Sequence, residues 1–143
     1  MLLYGAEAWV LYRKQLRRLE QFHQRCLRSI LGIKWQDYIS NEEVLTKAHI
    51  PSLESIILQL QLGWAGHVAR MDDTRIPKAM LFGELSAGKR NQGGPKKRYK
   101  DQLKSELEMA DVCLDSWQQE AQNRDSWRSN IRNASKRCRA REE

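Results

Sequence analysis

Apolar residues recur at helical spacing through most of the chain, which predicts a mainly α fold. Trp9, Leu16, Leu19, Phe22, His23, Cys26, Leu27 and Ile30 share one side of a segment from about Ala6 to Leu31, and Gly32 is placed to stop it. Ser40-Asn41-Glu42-Glu43 has the form of a capping box and predicts a short helix reaching Ala48. After Pro51 and Ser52, the residues Leu53, Ile56, Ile57, Leu60, Trp64, His67, Val68 and Met71 keep strict helical spacing and give the strongest helical signal of the chain. Gly63 and Gly66 interrupt it, each costing about 1 kcal/mol relative to Ala, so close approach of another helix is the expected compensation. Met80 to Leu85 is too short to decide between a strand and a helical turn. Tyr99, Leu103, Leu107 and Ala110 then mark a helix whose start is expected near Pro95. Asp115-Ser-Trp and Asp125-Ser-Trp-Arg read as two aspartate-capped starts, with Trp117, Ala121, Trp127 and Ile131 buried and a solvated, frayed tail from Lys136.

Charge changes this picture. Of the formal net charge of +7 on 143 residues, two blocks hold all the excess, residues 12–34 and 87–104 at +6 each, and the remainder sums to −5. In the first block Arg17, Arg18, Arg25 and Arg28 occupy the polar side of the first helix. A solvated face is one reading, but arginine along nearly the whole stripe favours phosphate contact, because a helix needing only solubility mixes signs. The second block is a basic loop with Gly88, Gly93 and Gly94, carrying Lys89, Arg90, Lys96, Lys97, Arg98 and Lys100. Such concentrations favour a polyanion, DNA, RNA or an RNA–DNA hybrid, over a membrane. Trp35, Tyr38 and Tyr99 are interleaved and offer ring faces for bases, although Tyr99 lies in the Leu103 and Leu107 stripe and reads first as core.

Candidate chemistry is sparse. Cys26, Cys113 and Cys138 are odd in number and far apart, which argues against a disulfide framework and suits a reducing compartment. His23 and Cys26 are half of a zinc site at most, with nothing nearby to complete four ligands, and read as core; His67 reads as a packed, hydrogen-bonded histidine. Asp72 and Asp73 are expected to end the long helix and pair with Arg70 or Arg75 rather than hold a metal. No nucleophile–base–orienter set and no phosphate-cradling Gly-x-x-x-x-Gly-Lys-Ser/Thr loop is present. Neither catalysis, nor a cofactor, nor a metal site is expected. No apolar run approaches the ~20 residues that cross a bilayer, and Met1 to Tyr12 reads as buried structure at a truncated start.

Several ordered motifs together resemble one family. Leu-Tyr-Gly-Ala-Glu-Ala-Trp (3–9), the run from Arg17 to Trp35, Leu-Gly-Trp-Ala-Gly-His-Val-Ala-Arg-Met (62–71), Arg-Ile-Pro-Lys (75–78), Gly-Gly-Pro-Lys-Lys-Arg-Tyr-Lys-Asp (93–101), Trp117 and Asp125-Ser-Trp-Arg are similar to the region after the polymerase core in reverse transcriptases of LINE-type, non-LTR retrotransposons. The resemblance implies a helical thumb and post-thumb fragment of an RNA-directed DNA polymerase, without endonuclease or palm, the polymerase core being expected upstream in the parent protein. It implies a thumb-like region over 1–71, a linker and basic loop over 72–104, and a C-terminal helical segment over 105–143. It further implies nonspecific grip on nucleic-acid backbone, in the nucleus or in a cytoplasmic ribonucleoprotein. Two other readings stand beside it. Pro95-Lys-Lys-Arg-Tyr-Lys has the form of a nuclear-import signal on a protein-interaction module, and a decayed element would yield a fragment with no function.

Overall fold

The computed structural model describes residues 2–83, 93 and 97–140. Among the described residues seven α-helices follow in order: α1 (Arg13–Ile30), α2 (Asn41–Ala48), α3 (Leu53–Ala69), α4 (Ile76–Phe82), α5 (Tyr99–Met109), α6 (Trp117–Glu120) and α7 (Arg124–Ala140), with 3-10 turns at Ala6–Ala8 and Trp35–Asp37. The fold is mainly α, and among the described residues there is no strand. The undecided run at Met80 is the end of α4, with Leu85 outside the described residues.

Helix α3 is the hub, and α7, α5, α4, α1 and the first 3-10 turn all contact it. Its buried side is wider than the expected stripe, of which Leu53, Ile57 and Val68 are buried and Trp64 and Met71 pack against the core. Ser55, Leu58, Gln61, Leu62, Ala65, Gly66 and Ala69 are buried, whereas Leu60 and His67 are exposed. The reason is that α3 takes neighbours on several sides, so the apolar period alone does not locate its interior. His67 is consequently no packed core histidine; its ring lies against Trp64 at 5.5 Å on the outer face.

The α3–α7 crossing explains one of the two glycines. A Cβ on Gly66 would run into the indole of Trp127, whose Nε1 donates to Leu62 O at 3.0 Å, while nothing lies within 4 Å of a Cβ on Gly63. Toward the other end of the crossing, Gln59 Nε2 donates to Ser135 Oγ at 2.6 Å and the Ser55 and Ser135 hydroxyls meet. These pairs run in opposite senses along the two helices, so α3 and α7 are antiparallel. Trp127 continues into an aromatic row through Trp117 at 6.1 Å and Phe82 at 5.9 Å, tying α4 and α6 to the same core.

Three helix starts depart from expectation. Helix α1 begins at Arg13, because Gln61 Nε2 takes the carbonyls of Ala6 (3.0 Å) and Trp9 (2.8 Å), holding that stretch outside a helix, and Gln15 Oε1 accepts from Tyr12 N–H. Helix α5 begins at Tyr99, with Asp101 accepting from Arg98 N–H at 2.8 Å; Pro95 lies outside the described residues. At α7 the cap is Asn123, whose Oδ1 accepts from the N–H groups of both Asp125 and Ser126 at 3.2 Å. The tail is not frayed at Lys136. Helix α7 runs to Ala140, and Arg137 ties it back through Ala110 O and a 3.1 Å ion pair with Asp111.

Other expectations match. Ser40 and Glu43 exchange the capping-box hydrogen bonds at 3.2 and 2.9 Å, and α2 ends at Ala48. Gly32, at φ 66°, closes α1, with Ile33 N–H donating to Arg28 O at 2.9 Å. Trp117, Ala121, Trp127 and Ile131 are all buried.

The two glycines make opposite predictions. Gly66→Ala is expected to destabilise the fold by about 1–3 kcal/mol, because a fixed, buried indole must move. Gly63→Ala is expected to raise stability by up to about 1 kcal/mol through helix propensity. Urea denaturation of the two variants and the wild type checks both signs.

Candidate nucleic-acid interface

Helix α1 is peripheral. Of its apolar side only Leu27 is fully buried, while Phe22 and Ile30 remain exposed, so the expected core face is only partly covered. Its polar side is built as the sequence suggests, with Arg17, Arg18 and Arg25 exposed. Arg17, Arg25, Arg28, Gln21, Gln24 and Asn41 are among the residues lining a shallow groove of about 710 Å³ beside the helix.

Arg28 differs from its three companions. Its Nη2 donates to Ile39 O at 2.7 Å and to Asn41 Oδ1 at 3.0 Å, so it fastens the α1–α2 corner while still bordering the groove. The corner it holds carries Trp35 (78% exposed) and Tyr38 (87% exposed).

The second basic block divides in the same way. Lys89, Arg90 and Lys96 lie outside the described residues. Lys97 is half-buried, its Nζ donating to Leu11 O at 3.4 Å and to Gln102 Oε1. Lys100 Nζ donates to the carbonyls of Phe82 (3.2 Å) and Gly83 (3.0 Å) at the end of α4. Arg98 is exposed beside Asp101. Tyr99 is half-buried and donates to Glu7 O at 3.1 Å, as its place in the core stripe suggests.

A third basic row was hidden by averaging, because residues 105–143 sum to −1. Arg124, Arg128, Arg132 and Lys136 stand four residues apart on α7, all exposed, with one acid among them, Asp125, whose Oδ1 lies 3.9 Å from Arg128 Nη1. Their recurrence at four-residue spacing is the signal that finds them. Burial and the neighbouring Arg124 and Arg128 lower the Arg70 pKa, and Arg70 Nη1 donates to Ala121 O at 2.6 Å. The expected pairing of Asp72 or Asp73 with Arg70 or Arg75 is not what forms. Asp73 pairs with Lys78 at 2.8 Å, which holds its carboxyl below the ordinary value.

A separate cavity of about 380 Å³ lies between the start of α1, α3 and α5, with Lys97 and Glu106 in its wall. Glu106 is 3% exposed; its Oε1 accepts from Gln102 at 2.6 Å and its Oε2 has no hydrogen-bond partner. Burial pushes its pKa up to about 7, against the opposing pull of Gln102 and the Lys97 charge. Among the described residues no group of three or more His, Cys, Asp and Glu side chains is placed to hold a metal ion, and no helix is long and apolar enough to cross a membrane.

Over 138 residues the chain is 28% identical to an uncharacterized transposon-derived protein of Caenorhabditis elegans, matching 92% of this chain and 50% of that protein. The chain thus spans about half the length of the curated relative it matches. No family model matches, and no solved structure matches. A transposon origin agrees with the likeness.

Glu106 makes stability depend on pH. From about pH 4.5 to about 7 the unfolded chain has lost the proton that the folded chain retains, so stability falls as pH rises through that window and levels off above it. The expected loss is about 3 kcal/mol. Glu106→Gln cannot ionise, so denaturation of wild type and variant between pH 4 and 8 should diverge across this window and run parallel above it.

Proposed function

We propose that this chain is the thumb and post-thumb portion of a LINE-type retrotransposon reverse transcriptase, and that it grips nucleic-acid backbone without reading sequence. The observation that carries the reading is the outward arginine row on α1, set beside an open groove on a mainly helical frame. The likeness to a transposon-derived protein supports the origin, and the ordered motifs from Leu3 to Arg128 support the finer family.

The physical work is charge neutralisation. Arg17, Arg18 and Arg25 project guanidinium groups along one side of a helix, and each can donate forked hydrogen bonds to phosphate oxygens. Such contacts fix the position of a duplex or strand and carry no base information. Arg98 adds an exposed cation in this proposal, the charges that Lys89, Arg90 and Lys96 carry in the sequence are assigned the same role, and the α7 row adds Arg124, Arg128 and Arg132. The reaction itself belongs to a polymerase core supplied by the parent protein, and the thumb's share is to keep the template–primer in place. The setting is the nucleus or a cytoplasmic ribonucleoprotein.

Binding to RNA–DNA hybrid and to duplex DNA across a salt series tests this. Micromolar or tighter affinity at low salt is expected, with a log–log slope that becomes shallower by about 0.9 on duplex DNA for each phosphate contact removed. Arg17→Ala and Arg25→Ala should each reduce the slope and leave thermal stability unchanged. Arg28→Ala should lower thermal stability as well, since the α1–α2 corner loses two hydrogen bonds. Absence of binding at low salt overturns the proposal.

A further inference from the structure

We infer that the turn carrying Trp35 and Tyr38 is a stacking platform for unpaired bases, so that the α1 face takes single-stranded nucleic acid. The inference rests on the nucleic-acid reading above and adds the substrate class of this face.

Two large rings in water are not decisive alone. Their mounting is. Trp35–Asp37 form a 3-10 turn closed at both ends: Asp37 Oδ2 accepts from Lys34 N–H at 2.7 Å, and Tyr38 N–H donates to Trp35 O at 3.4 Å. Tyr38 stands at φ 50° and ψ 28°, a left-handed conformation that bulky side chains avoid and that Gly or Asn adopts more readily. Burial of the ring would be the usual compensation, yet Tyr38 is 87% exposed. The turn therefore keeps a bulky ring in water at a position that Gly or Asn would fill at lower cost.

The surroundings identify the contact. The next residue is Ile39, whose carbonyl is held by Arg28 from the arginine helix, so the platform and the basic groove share one rigid corner. Lys34 precedes the turn, and residues 12–34 carry +6. Lys34, Gln36 and Asp37, the residues flanking the rings in the turn, are all exposed. Exposed aromatic faces beside a cationic track match a strand whose backbone follows the charges while its bases lie on the rings. Paired bases are already stacked on their neighbours and present no free face. A duplex can meet the arginines but not the rings.

The test uses the full 143-residue chain and three fluorescent probes of equal length: an oligothymidine strand, an abasic strand with the same phosphates, and a duplex. Wild type is expected to prefer the thymidine strand to the abasic one. Combining Trp35→Ala with Tyr38→Gly should weaken thymidine-strand binding by about tenfold or more, erase the preference, and leave duplex binding unchanged. Gly adopts the left-handed conformation without strain, so the Tyr38→Gly single variant should melt no lower than wild type while losing single-strand affinity. If wild type binds all three probes and the double variant keeps the preference, the platform is overturned while the backbone-grip reading stands. Parallel loss on strand and duplex overturns it too, as does a change confined to self-association. Failure of wild type to bind any probe at low salt overturns both.

Discussion

Everything in this fold depends on the contact of Trp127 with the bare backbone at Gly66. An indole can lie directly on a helix only where no Cβ intervenes, and its N–H then reaches Leu62 O, a carbonyl within α3. That contact sets the separation of α3 and α7, and the Ser55–Ser135 and Gln59–Ser135 pairs set their register. Trp117 and Phe82 follow in the aromatic row, so α4 and α6, which are too short to be stable alone, acquire a surface to pack on. The helix propensity lost at Gly66 is offset by a buried aromatic core.

Much of this fold was legible in the sequence, and the misses have physical causes. The Ser40 capping box, the Gly32 stop, the close approach at Gly66 and the buried set of Trp117, Ala121, Trp127 and Ile131 all follow from local chemistry at the residues named. The start of α1 did not, because its cause is remote: Gln61, on a helix some fifty positions away, takes the carbonyls of Ala6 and Trp9. The interior of α3 was placed only in part, at Leu53, Ile57 and Val68, for a related reason. A periodic stripe identifies the buried side of a helix with one neighbour, and α3 has several.

The candidate site was legible in part. Composition and spacing placed Arg17, Arg18 and Arg25 on an outward side of α1, and they are exposed. Sequence cannot show which cations are engaged inside the fold, so Arg28, Lys97 and Lys100 looked equivalent to their neighbours while each donates to a carbonyl of this chain. The α7 row was missed because charge summed over residues 105–143 averages that row with acids most of which lie outside the helix.

Those engaged cations follow a pattern. Lys78 donates to Met71 O beyond α3, Lys100 to Phe82 O and Gly83 O at the end of α4, Arg137 to Ala110 O at the end of α5, and Arg70 to Ala121 O at the end of α6. Helix C-termini expose unpaired carbonyls and the negative end of the dipole, so each is a natural receptor for a cation from elsewhere in the chain. A basic protein built this way uses part of its positive charge as clips between its own helices. Net charge therefore overstates what is available to a partner. What remains outward is concentrated on α1 and α7, two helices whose exposed faces carry guanidinium groups that the fold does not need for its own closure. A polyanion meeting such a surface would compete with water, and at Arg128 with Asp125 3.9 Å away, rather than with the helix-end carbonyls that hold the clips.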